Sequence, residues 1–299
     1  MKVLLDRKFE YILEELEDVR DHIVFEPTED VRMICGDHKF VNEYYTLPHL
    51  QTIQLASSGY NMLDLDYLRK HKITLLNSRG IYSIPIAEYV VSYILAIYKK
   101  HRMFDISQAK HEWNPDRSLK SIEGSTALLL GTGAIPQEVV KRLKGFDVTF
   151  IGLNSDGRMI EGFDQCDALP NFEKYLSSVD FVICALPENK ATVKLLNKTH
   201  FLKMKPESVF INVGRGSLID YDDVCQSIGH LKGFVIDVFE VEPMPSDHPL
   251  WDCPNVYITG HASAGSQNNN RRTTQLFANN IKRIISGEVP DNRVDLRKG

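Results

Sequence analysis

The chain has 299 residues, 43% of them hydrophobic and 25% charged, with a formal net charge of −5. That length suits two cores better than one and predicts two unequal domains with a ligand cleft between them. Charges of both signs are mixed without a basic stripe, and no apolar run approaches the roughly 20 residues of a membrane span, so neither nucleic acid nor a membrane is an expected partner.

At the N-terminus, Asp6, Arg7 and Lys8 interrupt the first apolar stretch before it could serve as a signal-peptide core. Short apolar runs at 3–5, 33–35, 52–55 and 74–76 then alternate with helical patterns at 11–16 and 62–69, which predicts a small parallel sheet. Residues 87–100 carry apolar side chains at helical spacing and are long enough to bridge two units. From Thr126 the rhythm resumes with strands at 126–130, 148–151, 181–185, 209–212, 233–237 and 256–259 and a helix at about 136–144. Runs of four or five apolar residues bounded by Gly, Asn or Pro are the pattern of strands buried on both faces, so this region reads as doubly wound α/β. Residues 266–286 are again helical and are expected to return to the first domain. The predicted division is 1–95 with 267–299, and 96–266.

The strand at 126–130 runs into Gly131-Thr132-Gly133-Ala134-Ile135-Pro136 and then a helix. A glycine turn opening a helix offers free N–H groups and a positive dipole end to a pyrophosphate, so Gly131 to Ile135 are candidate phosphate-binding residues. Pro136 stands where the third glycine of this motif is usual. Proline is tolerated in a first helical turn, which predicts a slightly displaced helix and retained binding. After the next strand, Asn154 falls where a carboxylate would hold an adenosine ribose. With Ser155 and Arg158 nearby this favours NADP, and Asp156 is the competing feature that would restore NAD.

Three later strands end in Asn212-Val213-Gly214-Arg215-Gly216, in Asp237-Val238-Phe239-Glu240-Val241-Glu242-Pro243 and in Thr259-Gly260-His261-Ala262-Ser263. Ligands of open α/β sheets lie at the carboxyl ends of strands, so one arginine, one carboxylate and one histidine can converge there. In their order these segments, with LQTIQLASSGYNMLDLDYL, GIYSIPIAEYV, GTGAIP and ALPENKATVKLLN, resemble the D-isomer-specific 2-hydroxyacid dehydrogenases over nearly the whole chain.

The resemblance implies a Rossmann NAD(P)-binding domain and a smaller flavodoxin-like substrate domain. It also implies an oxidoreductase passing a hydride between a nicotinamide cofactor and a small 2-oxo or 2-hydroxy acid. Carried over by motif position, the catalytic residues are Arg215, Glu242 and His261. His261 would exchange the proton of the carbonyl oxygen, Glu242 would orient its ring and offset its charge, and Arg215 would hold the substrate carboxylate. Ser58, Gly59 and Tyr60 would bind that carboxylate from the first domain, across the cleft from Arg215. Leu186, Pro187, Thr192, Val213, Gly214 and Asp237 join the cofactor residues. The chain departs from the family at Pro136 and at Gly260, where proline usually precedes the histidine. It departs too at Tyr60 and Tyr82, which suggest a pocket partly filled by aromatic rings.

The resemblance further implies a homodimer with an arm around 101–119. A nicotinamide-sensing regulatory protein of the same fold is the alternative. No metal is expected, because His22, His38, His49, His71 and His111 lie singly. Cys35, Cys166, Cys184, Cys225 and Cys253 are scattered without a CxxC pair, as in a reduced cytoplasmic protein.

Overall fold

The computed structural model describes residues 1–296; the last three residues of the predicted first domain, 297–299, lie outside the described residues. The chain divides into two compact units, one built from residues 1–82 and the segment from 266, the other from residues 83–265.

The first unit carries five parallel strands: β1 (Lys2–Leu5), β2 (Ile23–Val24), β3 (Val31–Gly36), β4 (Thr52–Leu55) and β5 (Thr74–Leu76). They lie in the order β2-β1-β3-β4-β5, the flavodoxin-like 2-1-3-4-5 winding. Helices α1 (His38–Tyr44) and α2 (Leu65–Lys70) flank it, started by Asp37 and Asp64, whose carboxylates accept from first-turn N–H groups. The helical pattern at 11–16 folds instead as 3-10 turns over Arg7–Glu15, kinked at Phe9. The C-terminal helix, here α8 (Asn269–Ile285), buries Phe277, Ala278 and Ile281 against Val3, Leu5 and Met33. Asn280 and Gln54 are fully buried and bond to each other at 2.7 Å, which fixes that helix on β4 without an unpaired polar group.

In the second unit α3 (Ser83–Tyr98) and α4 (His101–Ala109) lead into the sheet, and α3 packs on α5 (Ala134–Leu143). That packing places the boundary at residue 82 rather than 95. Seven parallel strands follow: β6 (Thr126–Leu130), β7 (Thr149–Asn154), β8 (Gln165–Ala168), β9 (Phe181–Cys184), β10 (Val209–Asn212), β11 (Gly233–Ile236) and β12 (Val256–Ile258). Short helices α6 (Lys198–Lys203) and α7 (Tyr221–Cys225) lie between them. The sheet order is β12-β11-β10-β9-β6-β7-β8, and its core is fully buried at Phe181, Phe201, Phe210 and Phe234. This is the doubly wound order, with its reversal between β6 and β9. A ligand crevice is expected outside the carboxyl ends of those strands. No helix among the described residues is long and apolar enough to cross a membrane.

Candidate active site

The glycine loop begins at that reversal. Gly131 adopts φ +103°, where a Cβ would be strained and would sit 3.3 Å from the Ala185 carbonyl oxygen. Gly133 is the N-cap of α5, and a Cβ there would meet nothing within 4 Å. Its smallness is therefore not demanded by the protein's own packing, and it leaves open space in front of the helix. The first intrahelical bond runs from Gln137 N–H to Gly133 O at 3.1 Å, so the N–H groups of Ala134 and Ile135 have no helical acceptor. Pro136 is buried in this first turn and removes one donor that would also have been free. Open space before a run of free N–H groups fits a pyrophosphate.

The loop is seated by a glycine that sequence reading passed over. A Cβ on Gly152 would lie 2.6 Å from Phe163 and 2.7 Å from the Thr132 methyl, so β7 can approach the loop only with glycine there. At the end of β7 the buried Asn154 donates from Nδ2 to Arg158 O (2.9 Å) and accepts from Asp156 N–H (3.3 Å). Arg158 Nη1 reaches Asp156 Oδ2 at 2.8 Å, and this hydrogen bond holds the Asp156 carboxyl below its usual range. Asn154 thus shapes the turn, and the two charged side chains at its tip offset each other.

The three strand-end motifs meet through close backbone contact. Asn212, fully buried, accepts from Gly214 N–H and donates to Arg215 O, which clamps the turn after β10. A Cβ on Gly214 would lie 2.7 Å from Leu186 O, and one on Gly216 would lie 1.9 Å from the Phe239 carbonyl carbon. The Arg215 turn is therefore pressed on one side against the segment after β9 and on the other against the segment leading to Glu242. Thr192, also buried, closes the β9 segment through bonds to Pro187 O and Asn189 N–H. Glu242 accepts from Phe239 N–H through Oε1 (2.9 Å) and meets His261 Nδ1 through Oε2 (2.8 Å). The ring remains half exposed. Since a carboxylate only accepts, Nδ1 carries the proton and Nε2 is left to exchange one. Glu240, two positions away, is exposed.

Asp237 has no exposed surface, and its carboxylate is occupied on both oxygens. It accepts from Thr259 Oγ1 (2.6 Å), Ala262 N–H (2.8 Å) and Ser263 Oγ (2.5 Å), so it anchors the turn that carries His261. Tyr89 extends the chain by donating to Thr259 Oγ1 at 2.8 Å, and burial keeps its phenol well above the usual range. No motif in the sequence marks Tyr221. Its hydroxyl lies 3.0 Å from Gly216 O and 2.8 Å from Val238 O, and its ring stacks on Phe239. It thereby braces the Arg215 turn against the Glu242 segment.

In the first unit, Ser58, Gly59 and Tyr60 form the turn after β4. Asn77 Nδ2 holds Ser58 O at 2.9 Å, and Ser57 Oγ donates to Gly59 O at 2.7 Å. The N–H groups of Ser58, Gly59 and Tyr60 have no acceptor among the described residues. Tyr82 donates to Ala56 O at 3.2 Å, a bond that holds its ring at the base of this turn.

Residues 91–263 match the model of the D-isomer specific 2-hydroxyacid dehydrogenase NAD-binding domain. The chain belongs to the D-isomer specific 2-hydroxyacid dehydrogenase family. A glyoxylate reductase of Thermofilum pendens is 29% identical over 81% of this chain and 74% of its own. A crystal structure of a family protein from Aeromonas salmonicida superposes with a TM-score of 0.85 at 28% identity, covering 99% of both chains. A probable 2-hydroxyacid dehydrogenase from Rhizobium etli, solved with NADP, HEPES and L(+)-tartaric acid, gives 0.82 at 25% identity, covering 99% of this chain and 98% of that one. The second unit is thus the NAD-binding Rossmann domain of a 2-hydroxyacid oxidoreductase, and its glycine loop fits the group that the family binds. At Gly260, where proline is usual in the family, a Cβ would meet nothing within 4 Å.

Proposed function

We propose that this family member interconverts a small 2-oxo acid and its D-2-hydroxy acid, with Arg215, Glu242 and His261 as the catalytic residues. The observation that carries the reading is the His261–Glu242 pair, 2.8 Å apart beside the turn of Arg215 at the carboxyl ends of the strands. A bound nicotinamide would supply or accept the hydride at C2. His261 Nε2 gives its proton to the carbonyl oxygen in reduction and takes it back in oxidation. Glu242 fixes the ring and offsets the charge that appears on it, and Arg215 binds the substrate carboxylate and draws charge from the carbonyl. Ser58, Gly59 and Tyr60, whose N–H groups have no acceptor among the described residues, are the substrate-binding residues of the first unit on this reading.

The cofactor residues on this reading are Gly131 to Ile135, Leu186, Pro187, Thr192, Val213 and Gly214, with Asp237 contributing through the turn it holds. Asn154, Ser155 and Arg158 favour NADP, because Asn154 brings no charge against a 2′-phosphate and Arg158 can leave an exposed ion pair at small cost. The test is oxidation of NADPH and NADH with glyoxylate, hydroxypyruvate, pyruvate, phenylpyruvate and 2-oxoisocaproate. Turnover that falls by about 10²–10⁴-fold in His261→Ala is expected. Tight cofactor binding with no turnover across the panel would overturn the reading in favour of a sensing protein.

We also propose a cytoplasmic homodimer joined through residues 101–119. In support, Trp113 is 95% exposed, Ile106 and Leu119 are exposed as well, and all five cysteines are free thiols. Sedimentation equilibrium giving a single monomer mass would refute the dimer.

A further inference from the structure

Two thiols of the second unit take no part in the proposed chemistry and lie together beside its supports. Cys225 ends α7, and Cys253 follows the 3-10 turn Pro249–Asp252; their sulfurs are 3.9 Å apart although the residues are separated by 28 positions. Both are partly accessible, whereas Cys35 and Cys184 are wholly enclosed, and burial pushes the Cys184 thiol up to about 12. A disulfide bond of about 2.05 Å needs the two sulfurs to close by about 1.9 Å. One end of that span is a helix of 5 residues, the other an irregular segment.

We propose that Cys225 and Cys253 form an oxidisable pair which a hydroperoxide closes to a disulfide, and that closure disturbs the Tyr221 brace. Burial raises the Cys225 thiol, and the step is the same whichever sulfur reacts first; Cys253, which lies on the irregular segment, serves as the example. Its thiolate attacks one peroxide oxygen: an S–O bond forms, the O–O bond breaks, and the departing hydroxide takes up a proton as water. Cys225 sulfur then attacks the resulting sulfenic sulfur. The S–S bond forms, the S–O bond breaks, and the hydroxide leaves as water with the Cys225 proton. Two thiols and one hydrogen peroxide thus give one disulfide and two waters. A dithiol reverses the step by exchange.

The coupling follows from what the two segments hold. Tyr221 opens the short helix that Cys225 closes. On the other side, Cys253 Sγ sits 3.4 Å from Pro249 O, next to His248, whose ring meets that of Tyr221 edge-on at 6.4 Å. Drawing the sulfurs together pulls on both flanks of the residue that links the Arg215 and Glu242 segments.

The test treats the whole protein with hydrogen peroxide, stops the reaction with catalase, alkylates, and maps the peptides. A species lighter by two hydrogens, with Cys225 linked to Cys253 within one chain and reopened by dithiothreitol, is expected. Sulfinic or sulfonic acid at either thiol with the other still alkylated, or a link to another cysteine or another chain, would overturn the pairing. Cys253→Ser should yield no linked species, and the wild-type map stands without that variant. The coupling rests on the proposed reductase activity and is read separately. A several-fold loss of turnover on oxidation, restored by dithiothreitol and absent in Cys253→Ser, supports it, and unchanged turnover of the linked protein refutes the coupling alone.

Discussion

Tyr221→Phe isolates the brace, because it keeps the ring that stacks on Phe239 at 5.4 Å and removes only the hydroxyl. Gly216 O retains a second, longer contact from Ile219 N–H at 3.4 Å, whereas Val238, 2% exposed, loses the hydroxyl that its carbonyl accepts from. Leaving one buried carbonyl unsatisfied costs about 1–2 kcal/mol. In urea unfolding this should appear as a lower midpoint with an unchanged slope, since the surface exposed on unfolding is the same. The turns that carry Arg215 and Glu242 would no longer be tied at this point. A misplacement of Arg215 that removes about 1.4 kcal/mol of transition-state stabilisation lowers kcat roughly tenfold. A variant with the wild-type urea midpoint and the wild-type kcat would refute the brace.

Asp156→Asn releases Arg158 from an exposed pair worth about 0.2–1 kcal/mol, so the ratio of KM for NADPH to KM for NADH should fall by up to about fivefold. A ratio that does not move would remove Arg158 from cofactor selection. Gly216→Ala places a Cβ 1.9 Å from backbone that no side-chain rotation can relieve; a loss of at least about 2–3 kcal/mol in urea is expected, and wild-type stability would contradict the packing described. Gly260→Ala, by contrast, meets open space at a φ outside the left-handed region and should stabilise by about 0.4–1 kcal/mol through the unfolded chain. A lower urea midpoint would show that the turn needs glycine.

The central strands were legible because each is a short apolar run buried on both faces. Residues 52–55, 74–76, 126–130 and 209–212 coincide with β4, β5, β6 and β10. Strand β8 was not, since Gln165-Cys166-Asp167-Ala168 is polar and half exposed at a sheet edge, and β2 has only 2 residues. The pattern at 11–16 has the apolar spacing of a helix, but the chain kinks at Phe9 and closes 3-10 turns instead. Of the candidate site, the motif residues could be read in sequence because their chemistry is carried by residue type. Gly152, Tyr89 and Tyr221 could not, because their roles depend on contacts between segments far apart in the chain, for which neither spacing nor composition gives a signal. The sequence motif marks Asp237 for the cofactor, and only its saturated carboxylate shows how much of its capacity is spent on the turn at 259–263.

His261 sits at φ +53°, a left-handed conformation that costs an L-residue about 1–2 kcal/mol and that asparagine and histidine adopt more readily than alanine. Its N–H donates to Asp237 O at 2.8 Å, and the Asp237 carboxylate holds the next N–H, that of Ala262, so the aspartate secures this turn through both its main chain and its side chain. The proposed proton donor is thus mounted on a hinge with Asp237 as the catch. Replacing the ring with alanine adds strain at this φ, whereas His261→Asn removes the ring without adding it. Comparing the stabilities of the two variants would weigh the backbone demand of the hinge, apart from any chemistry the ring performs.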